Sequence, residues 1–361
     1  MKNNSTEQRN RGSVALLVAF GVIALLGCAA LAIDIGYALA TRAQLQNVAD
    51  AGSMAGNRTL VKLYQSKGNI DIGAYVLTST DKAAIIAKVN EYTLQNKAGG
   101  VPISVAPSDI AFGVWNIKTG SFTPGDKGVN TVSVTARRDA TSNGAVSTML
   151  AGVLGVHSFA IKADAGASGV SGLKRLPPGK GDIPVGISRY WFTSRQSPCA
   201  GADSTIGTDA RIRFYPTGDL AGCAGWHVFT DTPSSAAKLS GILKGLQENK
   251  YTSPNTLADS TTYNFTGGTV ASAFPDMKHL YDAKKGADGK WLVHIPVYDR
   301  DDCQNPNANY KIVGFATARI YSVTTSPNNE IWARVECQIV PWGDGGGTYY
   351  GTAIGSGSVT E

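Results

Sequence analysis

The sequence is poor in the residues that carry most enzyme and nucleic-acid chemistry. Its 361 residues hold four histidines, His157, His227, His279 and His294, scattered along the chain. No G-x-S-x-G, H-E-x-x-H or P-loop occurs, which removes the serine-hydrolase elbow, the zincin helix and the phosphate cradle. Charge is sparse too, at 17% of residues, with a net +6 that is spread rather than clustered. No run of five basic residues exists, which excludes a polybasic nucleic-acid footprint. The five cysteines include no C-x-x-C pair, which argues against zinc. The 42 glycines follow no period, which excludes collagen and solenoids. What remains is a globular composition, 43% hydrophobic, long enough for one large domain or two ordinary ones.

One segment departs from that composition. Val14 to Ile33, VALLVAFGVIALLGCAALAI, has neither charge nor proline. About 20 such residues make about 30 Å of helix, the thickness of a bilayer core. Lys2, Arg9 and Arg11 precede it against Glu7, and Asp34, Arg42 and Asp50 follow. The positive-inside rule therefore places residues 1–13 in the cytoplasm and the bulk of the chain outside. A removable signal would be cut near Ala30-Leu31-Ala32, but the helical pattern continues unbroken past that point. Leu25-Leu26-Gly27-Cys28 imitates a lipobox, yet apolar AALAI follows Cys28 instead of a polar tether. Prepilin-type cleavage after Gly12 would want Glu where the chain has Leu17. A retained anchor over 14–33 is the expectation. Helix formers run on to about Gly52, with Ile35, Leu39, Leu45, Val48 and Ala49 near one stripe. Ala38, Ala49, Gly52 and Gly56 are small enough for close approach by another helix or a sheet. Packing of this stripe on the protein's own domain is the plainer reading, and lateral packing in an assembly the functional one.

Arg11-Gly12-Ser13 opens the apolar helix. Asp34-Ile35-Gly36-Tyr37 and Arg42-Ala43-Gln44-Leu45-Gln46-Asn47-Val48-Ala49-Asp50-Ala51-Gly52 follow. This register resembles the TadE/TadG-like proteins of the Flp, or tight-adherence, pilus assembly system. The motif falls on Gly12, Asp34, Gly36, Arg42, Leu45, Gln46, Ala49 and Asp50. Residues 110–167 are similar to the membrane-proximal domain of TadG-like members. The resemblance implies a bacterial inner-membrane protein that helps build or anchor a pilus. Its implied partners are other pilus-assembly membrane proteins and pilin. The D-x-S-x-S metal site of larger relatives is absent, so a metal-dependent adhesion role is not implied.

Beyond the anchor, the pattern predicts an α+β fold. Residues 58–100 look helical, with DKAAIIAKVNEYTLQ the clearest amphipathic stretch and Gly99-Gly100 its end. Ile110 to Trp115 alternates as a strand, Thr119-Gly120-Ser121 turns it, and Asn130 to Arg138 returns. Val146 to Leu154 reads as a short apolar helix. His157, Phe159, Ile161 and Ala163 alternate as a further strand. Residues 34–167 thus form a helix plus a small α+β domain, and the Gly/Pro/Lys-rich 168–182 a linker. Residues 183–342 form a mainly β exported domain with strands WLVHIPVYD, KIVGFATARIYSV and IWARVECQIV. Ser234 to Asn249 is a helix within it, and 343–361 a loose Gly-rich tail.

Cys28 lies in the apolar helix. The other four cysteines, Cys199, Cys223, Cys303 and Cys337, fall in the second exported region, an even number that suggests two disulfides outside the cytoplasm. Nearest-neighbour pairing favours Cys199–Cys223 and Cys303–Cys337. Asp299, Asp301 and Asp302, with Asn305, Asn307 and Asn309, form the one polar cluster dense enough for calcium. Its spacing fits no EF-hand, and a solvated loop is the simpler expectation. His157 and His294 sit in alternating patterns as structural residues. No cofactor is expected. The functional expectation is a non-enzymatic, membrane-anchored pilus-assembly component; the alternative is a membrane-tethered periplasmic enzyme or ligand binder using the cysteine-containing domain.

Overall fold

A computed structural model describes residues 4–68, 70–194, 211–212, 222–266 and 270–360. It is an α+β structure whose first element dominates. Helix α1 (Asn4–Ser66) is 63 residues of unbroken helix, about 95 Å at the standard rise. The apolar residues of its first half are exposed, Leu17 at 73% and Leu25 at 71%. Its second half is the spine of a packed module, with Leu45, Val48, Ala49, Leu60 and Tyr64 buried.

Helix α2 (Ser79–Thr93) lies against that spine through Ile85 and Val89. Thr78 and Asp81 form a capping box at its start, which satisfies two of the orphan backbone donors there. The expected helical stretch 58–100 is thus two helices with a loop between Ser66 and Ser79. Gly99 and Gly100 do not end a helix; at φ +56° and +78° they turn a short hairpin of Lys97–Ala98 with Val101–Pro102.

Four antiparallel strands cover the other side: β1 (Ile110–Asn116), β2 (Ser121–Pro124), β3 (Thr131–Arg138) and β4 (Ile161–Gly172). On β3, Val132, Val134 and Ala136 are fully buried, as the alternation predicts. Each of the two buried valines contributes about 1.5–3 kcal/mol here. Helix α1 meets both α2 and the sheet closely because of glycine. A Cβ at Gly52 would lie 2.7 Å from Thr93 Cγ2, and one at Gly56 2.9 Å from Val132 Cγ1. The small residues therefore serve the protein's own packing at those two positions.

The segment expected as an apolar helix at 146–154 is a hairpin arm, Val146–Ser147 paired with Ser158–Phe159, around a 3-10 turn at Ala151–Leu154. Gly152 and Gly155 interrupt any α-helix there, and Gly155 sits at φ +84°. His157 is exposed beside this hairpin, not inside a strand.

The second sheet contains β5 (Val185–Ser188), β6 (Arg211–Ile212), β7 (Ala224–His227), β8 (Thr262–Thr266), β9 (Trp291–Tyr298), β10 (Asn309–Thr324) and β11 (Glu330–Glu336). The long β10 pairs with β8, β9 and β11 along its length. Because β9 also pairs with β5, the ladder β10-β8-β7-β5-β9 closes on itself. Trp226, Tyr263, Phe265, Phe274 and Phe315 fill its core. Helices α3 (Ala236–Gln247), capped by Ser235, and α4 (Phe274–Lys284) pack on it.

The chain then returns to the first sheet. IWARVECQIV is not one strand: β11 ends at Glu336, and β12 (Gln338–Val340) belongs to the other sheet. Cys337, 1% exposed, marks the crossing. The final segment is no loose tail. Strand β13 (Thr352–Thr360) is parallel to β12 and antiparallel to β4, giving the order β12-β13-β4-β3-β1-β2. Nor is 168–182 a free linker. Residues 168–172 end β4, and Arg175–Leu176 pairs with Thr256–Leu257. The backbone satisfies its hydrogen bonds in these ladders, which low side-chain hydrophobicity does not prevent.

The expected cysteine pairing is corrected as well. Cys223 is bonded to Cys303, 80 residues on. The sheet order puts the start of β7 and the loop after β9 on either side of the C-terminal end of β5. Ser188 N–H donates to the Cys223 carbonyl at 2.9 Å, and the Tyr298 hydroxyl donates to it at 3.2 Å. Cys337 is also disulfide-bonded. Cys199 lies outside the described residues, and Cys28 is a free, exposed thiol.

Candidate functional site on the anchor helix

The motif residues of α1 divide into two sets by the face they occupy. Leu45 and Ala49 are fully buried against the sheet and α2. Gln46 donates from Nε2 to Asp50 Oδ1 at 3.1 Å and to the Asp164 carbonyl on β4 at 3.2 Å. Gln44, between them, accepts from Gly99 N–H at 2.7 Å. These contacts hold the helix in register on its own domain.

Asp34 has a more particular place. It is the first residue after the apolar run, yet only 1% exposed. Its carboxylate accepts from the backbone N–H of Met149 at 2.6 Å and of Leu150 at 3.1 Å, and also from Ala151 N–H. Burial favours the neutral acid, but the hydrogen bonds of Met149, Ala151 and Leu150 favour the carboxylate and hold its pKa below the usual value. One side chain thus ties the 146–159 hairpin to the helix across more than a hundred residues of sequence. Nothing in the local sequence around Asp34 signals that partner.

Gly36 and Arg42 do the opposite. A Cβ at Gly36 would have no neighbour within 4 Å. Arg42 is exposed and makes no ion pair among the described residues. Ala40 and Ala43 are exposed on the same side as Gly36, one and two turns on, with Leu39 exposed at 61% and Ile35 at 52%. The predicted stripe is therefore split: Leu45, Val48 and Ala49 face inward, Ile35 and Leu39 outward. Gly12 falls where the side-chain surroundings lie outside the described residues.

The other candidates are occupied structurally. Asp299 and Asp301 flank Arg189, at 3.0 Å from Nη1 and 2.9 Å from Nε, and Asp302 pairs with Arg300. No group of three His, Cys, Asp or Glu residues converges as metal ligands would, among the described residues. His294 Nδ1 lies 2.8 Å from Asp182 Oδ2, with the Trp342 ring edge-on against the imidazole. His227 is fully buried, stacked on Tyr263 at 4.8 Å, and accepts from Phe229 N–H at Nδ1. Burial pushes its pKa down to about 3. One open cleft of about 840 Å³ lies between the end of α1 and strands β10 and β11, and another of about 880 Å³ lies on the first sheet. Neither is lined by a histidine or a cysteine, and the first is crossed by the Arg319–Glu336 ion pair.

Comparison with known families finds matches over this helix and the domain packed on it. Residues 12–58 match the family described as Flp pilus-assembly TadE/G-like, and residues 72–167 match the Tad-like Flp pilus-assembly family. Over those two stretches the chain is similar to the TadE/G-like and Tad-like Flp pilus-assembly families. No curated protein and no solved structure matches the chain. The two matches cover α1 from Gly12 to Arg58, and then residues 72–167, which hold α2 and the strands through the first part of β4. The closed sheet lies outside both.

Proposed function

We propose that this Tad-like chain is a non-enzymatic component of Flp pilus assembly or anchoring, held in the bacterial inner membrane with residues 1–13 in the cytoplasm. It works by protein–protein contact, and its partners are other pilus-assembly membrane proteins and pilin. The observation that supports this is the outward face of α1. Gly36, Ala40 and Ala43 are small, exposed and unused by the fold, on a helix continuous with the apolar run. Small residues let helices approach within a membrane and at its edge. The charge of Lys2, Arg9 and Arg11 supports the orientation.

A photo-crosslinking residue at position 36, 40 or 43 in living cells tests the reading. Crosslinks to Flp-system membrane proteins are expected, with none from exposed Lys238 on α3. Wild-type piliation in a strain lacking the gene would refute the role. A periplasm-dependent reporter fused after Glu361 that stays inactive would refute the topology.

A further inference from the structure

The hairpin held by Asp34 carries an apolar tip that the fold leaves uncovered. Met149 is 64% exposed, Leu150 41%, Val153 90% and Val156 44%. From Ser147 to Phe159 the sequence STMLAGVLGVHSF has no acidic or basic residue apart from His157. A cluster of this kind in water is a hydrophobic liability unless something covers it.

Its position fixes what that is. Asp34 follows the last residue of the membrane-length run Val14–Ile33, and its carboxylate grips the backbone of Met149, Leu150 and Ala151. The tip is therefore held at the depth where α1 leaves the bilayer. Tyr37, half-buried three residues further on with its hydroxyl donating to Gly99 O at 3.4 Å, suits the headgroup level. The backbone is prepared for a low-dielectric setting. Asp34 takes the N–H groups of Met149, Leu150 and Ala151, while Val153, Gly155 and Val156 donate to carbonyls of Leu150, Gly152 and Ala151. Thr148 N–H donates to the His157 carbonyl, and its hydroxyl to the Val156 carbonyl. Few donors are left to pull water into the interface.

We infer that the 149–156 tip is a second membrane contact, inserted into the outer-leaflet interface of the bilayer that α1 spans, so that the protein sits on the membrane at two points. This rests on α1 spanning the membrane. Two contacts fix the rotation of the helix about its axis, which a single span does not, and so fix which way Gly36 and Ala43 face.

The test uses full-length protein in phosphatidylcholine/phosphatidylglycerol vesicles with Cys28→Ala as background and the disulfides left oxidised. Val153→Cys carries an environment-sensitive fluorophore, with Met149→Cys as an independent site. Leu25→Cys serves as the membrane control and Thr119→Cys as the water control. The expected result is blue-shifted emission at 153 and 149 that is quenched by lipids spin-labelled near the headgroup, emission at 25 that is quenched by lipids spin-labelled near the end of the acyl chain, and unquenched emission at 119. Asp34→Ala should weaken quenching at 153 without changing it at 25. Water-like, unquenched emission at 153 and 149 with quenching at 25 overturns the inference alone. Absence of quenching at 25 overturns the span as well. Blue-shifted emission that lipid does not quench, and that is lost on lowering the protein-to-lipid ratio, would assign the tip to a second copy and also overturn it.

Discussion

The two halves of this molecule reach stability by different routes. The Tad-like half is a helix laid on a sheet, with glycines at Gly52 and Gly56 to bring them together and no cysteine among its packed residues. The other half is a sheet closed on itself, filled with aromatic side chains and braced by a disulfide between Cys223 and Cys303. The first buries a surface that a long helix presents in one piece. The second must close its strands into a ring, and the disulfide limits the freedom of the unfolded chain that such closure costs.

Reduction should separate the halves most sharply. In the chain-entropy model, a disulfide closing 80 residues contributes about 4 kcal/mol. Cys223→Ser and Cys303→Ser should each destabilise the closed sheet by roughly 2–5 kcal/mol, the double variant little more. Hydrogen exchange should rise in β7 to β10 and stay unchanged in β3 and α2. Non-reduced peptide mapping should join Cys223 to Cys303 and recover Cys337 in a different cross-linked peptide. Recovery of Cys303 joined to Cys337 would undo this account.

Acid should act on the halves over different ranges. His227 is buried neutral, its pKa depressed from 6.5 to about 3. The unfolded chain therefore takes up the proton first, and the closed sheet loses stability as pH falls from about 6.5 toward 3. The loss is on the order of a few kcal/mol by the end of that window. His227→Phe should flatten it in a pH series of thermal melts. In the Tad-like half, Asp81 titrates from the other side. Partial burial favours its acid form, but hydrogen bonds from the Tyr75 hydroxyl and Thr78 N–H bring its pKa down to about 2. Its contribution is complete above the ordinary value of 3.8 and is lost as pH falls toward 2. A pH series in which both halves melt together at pH 5 would contradict the distinction.

Overpacking probes the contact between α1 and α2 directly. Gly52→Ala places a methyl 2.7 Å from Thr93 Cγ2, and should cost about 1–3 kcal/mol. Gly36→Ala meets nothing within 4 Å, and should stabilise by up to about 1 kcal/mol while weakening assembly. Equal stability effects would mean that the two faces of α1 are not distinct. The smallest effect expected is at the cap of α2, where Thr78→Ala should cost about 1 kcal/mol, read as a lowered melting temperature of the Tad-like half only.

Much of the Tad-like half was legible because its signals are local. The apolar run Val14–Ile33, the alternation of Val132, Val134 and Ala136, and the turn at Gly120 each lie within a few residues of what they specify. So does the register Asp34, Gly36, Arg42, Leu45, Gln46. Less was legible in the second half, and the errors share a cause. IWARVECQIV reads as one strand because each residue alternates properly, but alternation does not say which sheet a strand joins. GTAIGSGSVT reads as loose because it offers little apolar area, yet β4 and β12 provide edges for its backbone.

The sequence by itself determined the elements whose information is carried by neighbours along the chain: the long apolar helix, its inward residues Leu45, Val48 and Ala49, and the alternating strands β1 and β3. Tertiary structure alone decided the pairings. It gave Cys223 to Cys303 rather than to its nearest neighbour, returned the last strand to the first sheet, and set the carboxylate of Asp34 against three N–H groups beyond residue 148. The physical reason is the same in each case. Hydrogen bonds and disulfides need proximity in space, and proximity between residues a hundred positions apart is fixed by how whole sheets and helices bury their faces, not by any residue's own preference.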